Sequence, residues 1–233
     1  MTKNLTTIGF DADDTLWHNE RFFRITQDRF AVLLADYVAQ DHLEQRLLEA
    51  EKRNVGHYGF GIKGFVLSMI ETAIEVTDEK VPASVIAELM AAGREMLRHP
   101  IELLPHVRDV VEQLGESHRL VLITKGDLLD QERKLAQSGL GDFFDWVEIV
   151  SNKTAEIYQT TFAQQGDGPQ RAMMVGNSTK SDVVPAIEAG SWGVYIPHGQ
   201  TWELEFAEAP EDEPRYSTLE ELSNLPDLVR DIG

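Results

Sequence analysis

Thr6-Thr7-Ile8-Gly9-Phe10-Asp11-Ala12-Asp13-Asp14-Thr15 is the stretch that decides the fold. Its first half is short, β-branched and apolar, and it ends at an acidic group, which predicts a buried strand with carboxylates at its C-terminal end. In open α/β sheets that end is where ligands bind. Asp11 and Asp13 stand two positions apart and repel each other when both are ionised, a repulsion that a bound cation relieves. Donors that are all oxygen favour a hard ion such as Mg²⁺ over zinc. An isolated Asp-x-Asp reads equally as a surface turn capping a helix, so the decision rests on the rest of the chain.

Apolar runs of strand length recur at Leu120 to Ile123, Trp146 to Val150, Ala172 to Val175 and Trp192 to Ile196. Helical patterns separate them: Val107, Val110, Val111 and Leu114 close at Gly115, and Val183 to Ala189 close at Gly190, where a left-handed stop is expected. Strands alternating with helices predict an α/β fold built on a doubly wound, largely parallel sheet. Between the first two strands lies a segment far longer than a crossover needs. Within it, apolar stripes at Phe30/Leu33/Leu34/Tyr37, Leu43/Leu47/Leu48, Phe65/Met69/Ile70/Ala73 and Ile86/Leu89/Met90/Leu97 predict an inserted all-helical domain over 20–100. The sheet domain is then 1–19 with 101–233. In the acidic tail, Ser217-Thr218-Leu219-Glu220 reads as a capping box opening a last short helix.

The other strand ends carry polar groups too. Thr124-Lys125-Gly126 follows the second strand, where a hydroxyl and exposed backbone N–H groups suit phosphate oxygens; Thr124 and Asp127 read equally as turn and N-cap residues. Lys153 follows the third strand and is able to aim its ammonium at the same edge. Gly176-Asn177-Ser178-Thr179-Lys180-Ser181-Asp182 follows the fourth and ends in an acid that completes a cation site; alone, Asp182 reads as an acid favoured at a helix N-terminus.

Taken in order, these four segments resemble the haloacid dehalogenase superfamily. Asp11-Ala12-Asp13-Asp14-Thr15 matches its first motif, Thr124 its second, Lys153 its third, and Gly176 to Asp182 its fourth. The resemblance covers the whole sheet domain and implies a Rossmann-like core, with the insertion as a helical, C1-type cap. It further implies Mg²⁺ as cofactor and phosphoryl transfer through an aspartyl phosphate. Asp11 becomes the nucleophile and Asp13 the general acid/base; Asp11, the Asp13 backbone carbonyl and Asp182 become the metal ligands. Thr124, Lys125 and Lys153 become the phosphate-binding groups, with Lys153 also counted as catalytic. Asn177 stands where many members carry an acid. It leaves one less negative charge, and its amide is expected to orient a metal-bound water. An acid at Asp13 favours phosphate ester hydrolysis, or a phosphomutase using the same chemistry, over dehalogenation.

Composition bounds the partners. A chain of 233 residues with 42% hydrophobic and 26% charged residues is that of a globular protein with a sizeable core. Its net charge of -19 repels a polyanionic backbone and no basic run interrupts it, so nucleic acid is not expected as a partner. No apolar run spans a bilayer and the N-terminal stretch lacks a signal-peptide pattern, so a cytoplasmic protein with no membrane partner is expected. With no cysteine, disulfides, thiolate metal sites and cysteine nucleophiles are excluded. The expected partner is a small phosphorylated metabolite, with the chain a monomer or homodimer. A non-catalytic phospho-ligand binding protein is the reading from another class, and the intact set of acids, Thr124 and Lys153 opposes it. A receiver domain pairs similar groups, but it has no helical insertion after its first strand. His57 to Gly64, with its glycines, aromatics and Lys63, reads either as a substrate-reading loop or as a plain interhelical turn. Trp17 and His18 are placed in a mobile segment leading into the insertion, with no role assigned.

Overall fold

The computed structural model describes residues 5–199 and 202–233; the first four residues of the expected 1–19 segment lie outside them. Strand β1 (Thr7–Phe10) is buried along its whole length. The inserted segment then forms α1 (Glu20–Leu33), α2 (Gln40–Tyr58), α3 (Ile62–Val76) and α4 (Ala83–Arg98), all of it helix and turns. The chain continues through α5 (Val107–Gly115), β2 (Arg119–Lys125), α6 (Leu128–Ser138), β3 (Trp146–Val150), α7 (Ala155–Gln165) and β4 (Ala172–Gly176). A π-helical turn (Thr179–Val183) leads into α8 (Val184–Glu188), followed by β5 (Trp192–Tyr195), β6 (Tyr216–Thr218) and α9 (Leu225–Ile232).

The six strands lie in the order β3-β2-β1-β4-β5-β6, and every pairing is parallel. This is the doubly wound α/β sheet, and β1 sits at its centre. Alternation of side chains divides the core. Ile8, Phe10, Leu120, Leu122, Met173 and Val175 face α5 and α9 through Val110, Val111, Leu114, Leu225 and Val229. Val121, Ile123 and Met174 face the other way, onto Tyr158 and Phe162 of α7 and Ala186 of α8.

The chain divides into two compact units, Met1–His18 with Ile101–Gly233, and Asn19–Pro100. The helical unit has its own core of Phe30, Leu43, Leu47, Phe65, Met69 and Leu89. Two residues of the anticipated stripes, Tyr37 and Met90, are instead exposed. In the sheet unit the chain entering and leaving the insertion is tied together: His18 N–H donates to Glu102 O at 3.0 Å and Leu104 N–H to Leu16 O at 2.9 Å.

Three local readings change. Ser217 and Thr218 belong to β6, and the last helix starts at Leu225 after a 3₁₀ turn at Leu222–Asn224, so the capping-box reading fails. The edge of the sheet offers β5 an unpaired ladder, and backbone pairing with β5 outweighs the local cap. Gly190 closes α8 with φ of 93°, whereas Gly115 stays in the helix as its last residue. The glycines after His57 belong to a tight helix-to-helix turn. Gly59 (φ 73°) ends α2 and Gly61 (φ 111°) begins α3, while a Cβ on Gly64 would lie 2.8 Å from Gly59 O. That close approach accounts for the glycines without a ligand, and Lys63 lies in the first turn of α3.

Candidate active site

The register of the sheet brings the polar strand ends together. Phe10 pairs with Leu122 and with Val175, so the residues just after β1 lie level with the ends of β2 and β4. Past Phe10 the chain turns tightly, with Leu16 N–H bonded to Ala12 O at 2.8 Å and Asp14 N–H to Trp17 O at 2.7 Å. Asp14 is driven into the left-handed region (φ 59°), which a short acid tolerates better than most side chains.

At the centre lies Lys153, buried between two acids. Its ammonium pairs with Asp11 Oδ1 and with Asp182 Oδ1, the latter at 2.6 Å. Burial opposes its charge, yet Asp11 and Asp182 outweigh that cost and hold the lysine protonated, above its ordinary range. Burial and the nearby Asp11 charge push the Asp182 carboxyl up to about 7, against the pull of Lys153 and of Ser178 N–H, which donates to Asp182 Oδ2 at 3.0 Å. Thr15 Oγ1 donates to Asp11 Oδ2 at 3.0 Å and fixes the acid's orientation.

Asp182 reaches this position because the π-helical turn carries it back over the end of β4. There it lies so close that a Cβ on Gly176 would fall 2.2 Å from Asp182 Oδ2. Gly176→Ala is therefore expected to displace Asp182 and to lower stability by about 1–3 kcal/mol, the usual range for overpacking. A urea titration beside wild type checks it, and an unchanged midpoint contradicts it.

Asn177 lies against the same group. With its amide nitrogen turned toward the acceptors it donates to Asp11 Oδ2 at 3.3 Å and to the Asp13 carbonyl oxygen at 3.2 Å. Those two oxygens thus face one region beside Asp11. Together with Asp182 they are the oxygen donors available to a hard cation. Two buried carboxylates face a single ammonium here, an oxygen-rich set that a further positive charge would suit, so the residues fit Mg²⁺.

Thr124 is 1% exposed at the end of β2, and its hydroxyl has no hydrogen-bond partner among the described residues. A buried unsatisfied hydroxyl of this kind calls for a ligand. Asp127 caps α6, accepting from Asp130 N–H at 3.2 Å. The neighbouring Lys125 is not brought to the acids. Its ammonium pairs with Glu205 and donates to Ser181 Oγ at 2.9 Å, where Glu205 also accepts from Ser178 Oγ at 3.0 Å. The phosphate-binding expectation for Lys125 therefore meets a side chain already occupied, because consecutive strand residues point to opposite faces. Glu205 is held ionised: burial raises its carboxyl, but Lys125 and the serine hydroxyls pull it below its ordinary range.

Asp13 is placed differently from Asp11. Its carboxylate accepts from Lys134 Nζ at 2.9 Å on each oxygen, from Gln131 Nε2 at 2.8 Å and from Trp17 Nε1 at 2.7 Å. Burial favours its neutral form, but the Lys134 charge and these hydrogen bonds hold it below the usual carboxylate range. Trp17 is fully buried, so the mobile segment expected around it is instead a fixed part of the site. The sequence reading missed Thr15, Trp17, Gln131 and Lys134. The last two carried no sequence signal: α6 buries Asp130, Gln131, Lys134 and Ser138, a polar stripe of the kind that ordinarily reads as a solvated face.

The sequence pattern of haloacid dehalogenase-like hydrolases matches residues 5–190. The chain belongs to this family. Among solved structures, this HAD-like hydrolase is similar to a haloacid dehalogenase-like family hydrolase from Xanthomonas campestris. The TM-score is 0.87 and the identity 39%, over 98% of this chain and 91% of that one. A HAD hydrolase from Bacillus subtilis, bound to magnesium, shares the fold with a TM-score of 0.65 at 16% identity, over 97% and 99% of the two chains. Among characterised proteins, the hydrolase is 23% identical to glyceraldehyde 3-phosphate phosphatase of Methanothermobacter thermautotrophicus, over 97% of this chain and all of that one. No helix among the described residues is long and apolar enough to cross a membrane.

Proposed function

We propose that this HAD-like hydrolase is a Mg²⁺-dependent phosphatase that hydrolyses a small phosphate monoester through an aspartyl phosphate on Asp11. The observation that carries the reading is the buried cluster of Asp11, Lys153 and Asp182, with the partnerless Thr124 hydroxyl at the adjoining strand end. The phosphatase relative of nearly equal length and the magnesium-bound neighbour support it.

Asp11 attacks phosphorus through a carboxylate oxygen; the new P–O bond forms as the ester P–O bond breaks, and the departing alkoxide takes a proton from Asp13. Water then attacks the phosphoryl group of Asp11, gives its proton to Asp13, and releases inorganic phosphate. Asp11, Asp182 and the Asp13 carbonyl would hold Mg²⁺, which when bound would supply positive charge against the phosphoryl oxygens. Lys153 and Thr124 bind those oxygens as charge builds on them. Asp13, ionised against Lys134, Gln131 and Trp17, is poised for the second step. Its acid role in the first step requires the Lys134 pair to loosen. The helical unit, inserted between the strand of Asp11 and the strand of Thr124, acts as the cap and carries substrate selectivity.

The test is release of inorganic phosphate from a panel of phosphorylated metabolites that includes glyceraldehyde 3-phosphate. Activity is expected with Mg²⁺ and is expected to fall at least about 100-fold in EDTA, as the loss of several kcal/mol of charge stabilisation requires. Phosphate retained on an organic product would instead indicate a phosphomutase. No turnover of any ester would leave the binding-protein reading.

A further inference from the structure

A second group of metal-ligand residues lies at the same edge of the sheet, built from side chains that the proposed reaction does not use. Asp14, His18 and His198 each offer one donor atom, and these atoms all lie within 4.8 Å of one another. His198 follows β5 and Asp14 follows β1, so the group joins two loops that the fold brings together from opposite ends of the chain. His198 Nε2 stands 3.7 Å from Asp14 Oδ1, beyond hydrogen-bond length. The imidazoles of His18 and His198 are tilted against each other with ring centres 5.3 Å apart.

Asp14 faces two imidazoles at once. One protonated histidine is enough to balance Asp14, and a second imidazole beside it adds repulsion if charged and no charge if neutral. A shared metal ion makes use of all three. Two donors each about 2.1 Å from a tetrahedral zinc sit about 3.4 Å apart, so small side-chain rotations bring the three observed atoms onto one ion. Asp14 is buried with its backbone held in the left-handed region, so its carboxylate is presented by the fold rather than by a freely turning side chain.

We propose that Asp14, His18 and His198 form a binding site for a first-row transition cation of the zinc class, separate from the oxygen-donor Mg²⁺ site. The donor chemistry divides the two ions. Two imidazole nitrogens and one carboxylate suit Zn²⁺, Co²⁺ or Ni²⁺, whereas Mg²⁺ prefers oxygen alone. The chain has no cysteine, so no thiolate site competes for zinc. Bound there, the ion ties the loop after β1 to the loop after β5, one residue from Asp13, and its fourth position stays open to water or a substrate group. The site stands on these donors whether or not the phosphatase reading holds.

The test is calorimetric titration of the chelator-treated chain, without a histidine tag, with zinc chloride in a large excess of Mg²⁺ that keeps the acid centre filled. One equivalent is expected to bind, and His18→Ala and His198→Ala are each expected to weaken it by at least about tenfold. Circular dichroism confirms that the variants fold. On the unaltered chain, histidine-selective NMR is expected to show two of the seven imidazoles shifting with one equivalent of zinc, and Co²⁺ to give visible bands of a nitrogen-ligated ion. Phosphate release is not the readout, so failure of this site and failure of the phosphatase reading are distinguishable. No zinc binding, binding abolished by Mg²⁺, or binding untouched by both substitutions overturns the proposal.

Discussion

Asp11→Asn is expected to remove phosphate release almost entirely, by at least about 10⁴-fold in kcat, the scale on which loss of a covalent nucleophile is felt. The same change is expected not to lower stability. Asp11 and Asp182 are two buried acids sharing one ammonium, and the Asp182 carboxyl is pushed up in part by its neighbour's charge. Neutralising Asp11 leaves Lys153 paired one to one with Asp182 and removes a like-charge contact. Thermal unfolding without divalent ions, run beside the activity assay, measures both effects. Activity close to wild type contradicts the nucleophile role, and a large fall in the unfolding midpoint contradicts the electrostatic account.

Lys153→Met inverts that pattern. It leaves Asp11 and Asp182 facing each other in a buried site with no ammonium between them, and breaking a buried ion pair in this way costs about 3–5 kcal/mol. The variant is expected to lose that stability in EDTA and to recover part of it with Mg²⁺, whose charge replaces the missing ammonium; turnover is expected to fall about 10²- to 10³-fold even with the ion present. Urea titrations of both proteins, each with EDTA and with Mg²⁺, check this directly. Equal stability of the two in EDTA contradicts the view that Lys153 balances the acid pair.

The central strands were legible because burial on both faces forces continuous apolar runs, as at Ile8 to Phe10 and Ala172 to Val175. Each ends in residues too polar to lie there by accident. The structure brings Asp11, Lys153 and Asp182 together at that edge, with Thr124 on the adjoining strand, as the ordered segments anticipated. β6 was not legible, since three half-exposed residues at a sheet edge carry no periodic signal, and the local Ser-x-x-Glu pattern pointed elsewhere. The clamp on Asp13 was hidden for another reason. Lys134 and Gln131 are more than a hundred positions from Asp13 in sequence, and a polar stripe on a helix is ordinarily read as its solvated face. Lys125 was placed by adjacency to Thr124, while strand alternation sends its ammonium to Glu205.

Mass spectrometry of the chain quenched in acid during turnover, with the Asp11-containing peptide isolated, tests the central claim most directly. The account predicts one added phosphoryl group on Asp11, present with Mg²⁺ and substrate and absent from Asp11→Asn. Rapid turnover with no phosphoryl group on that peptide, or with the group carried by another residue, would contradict it.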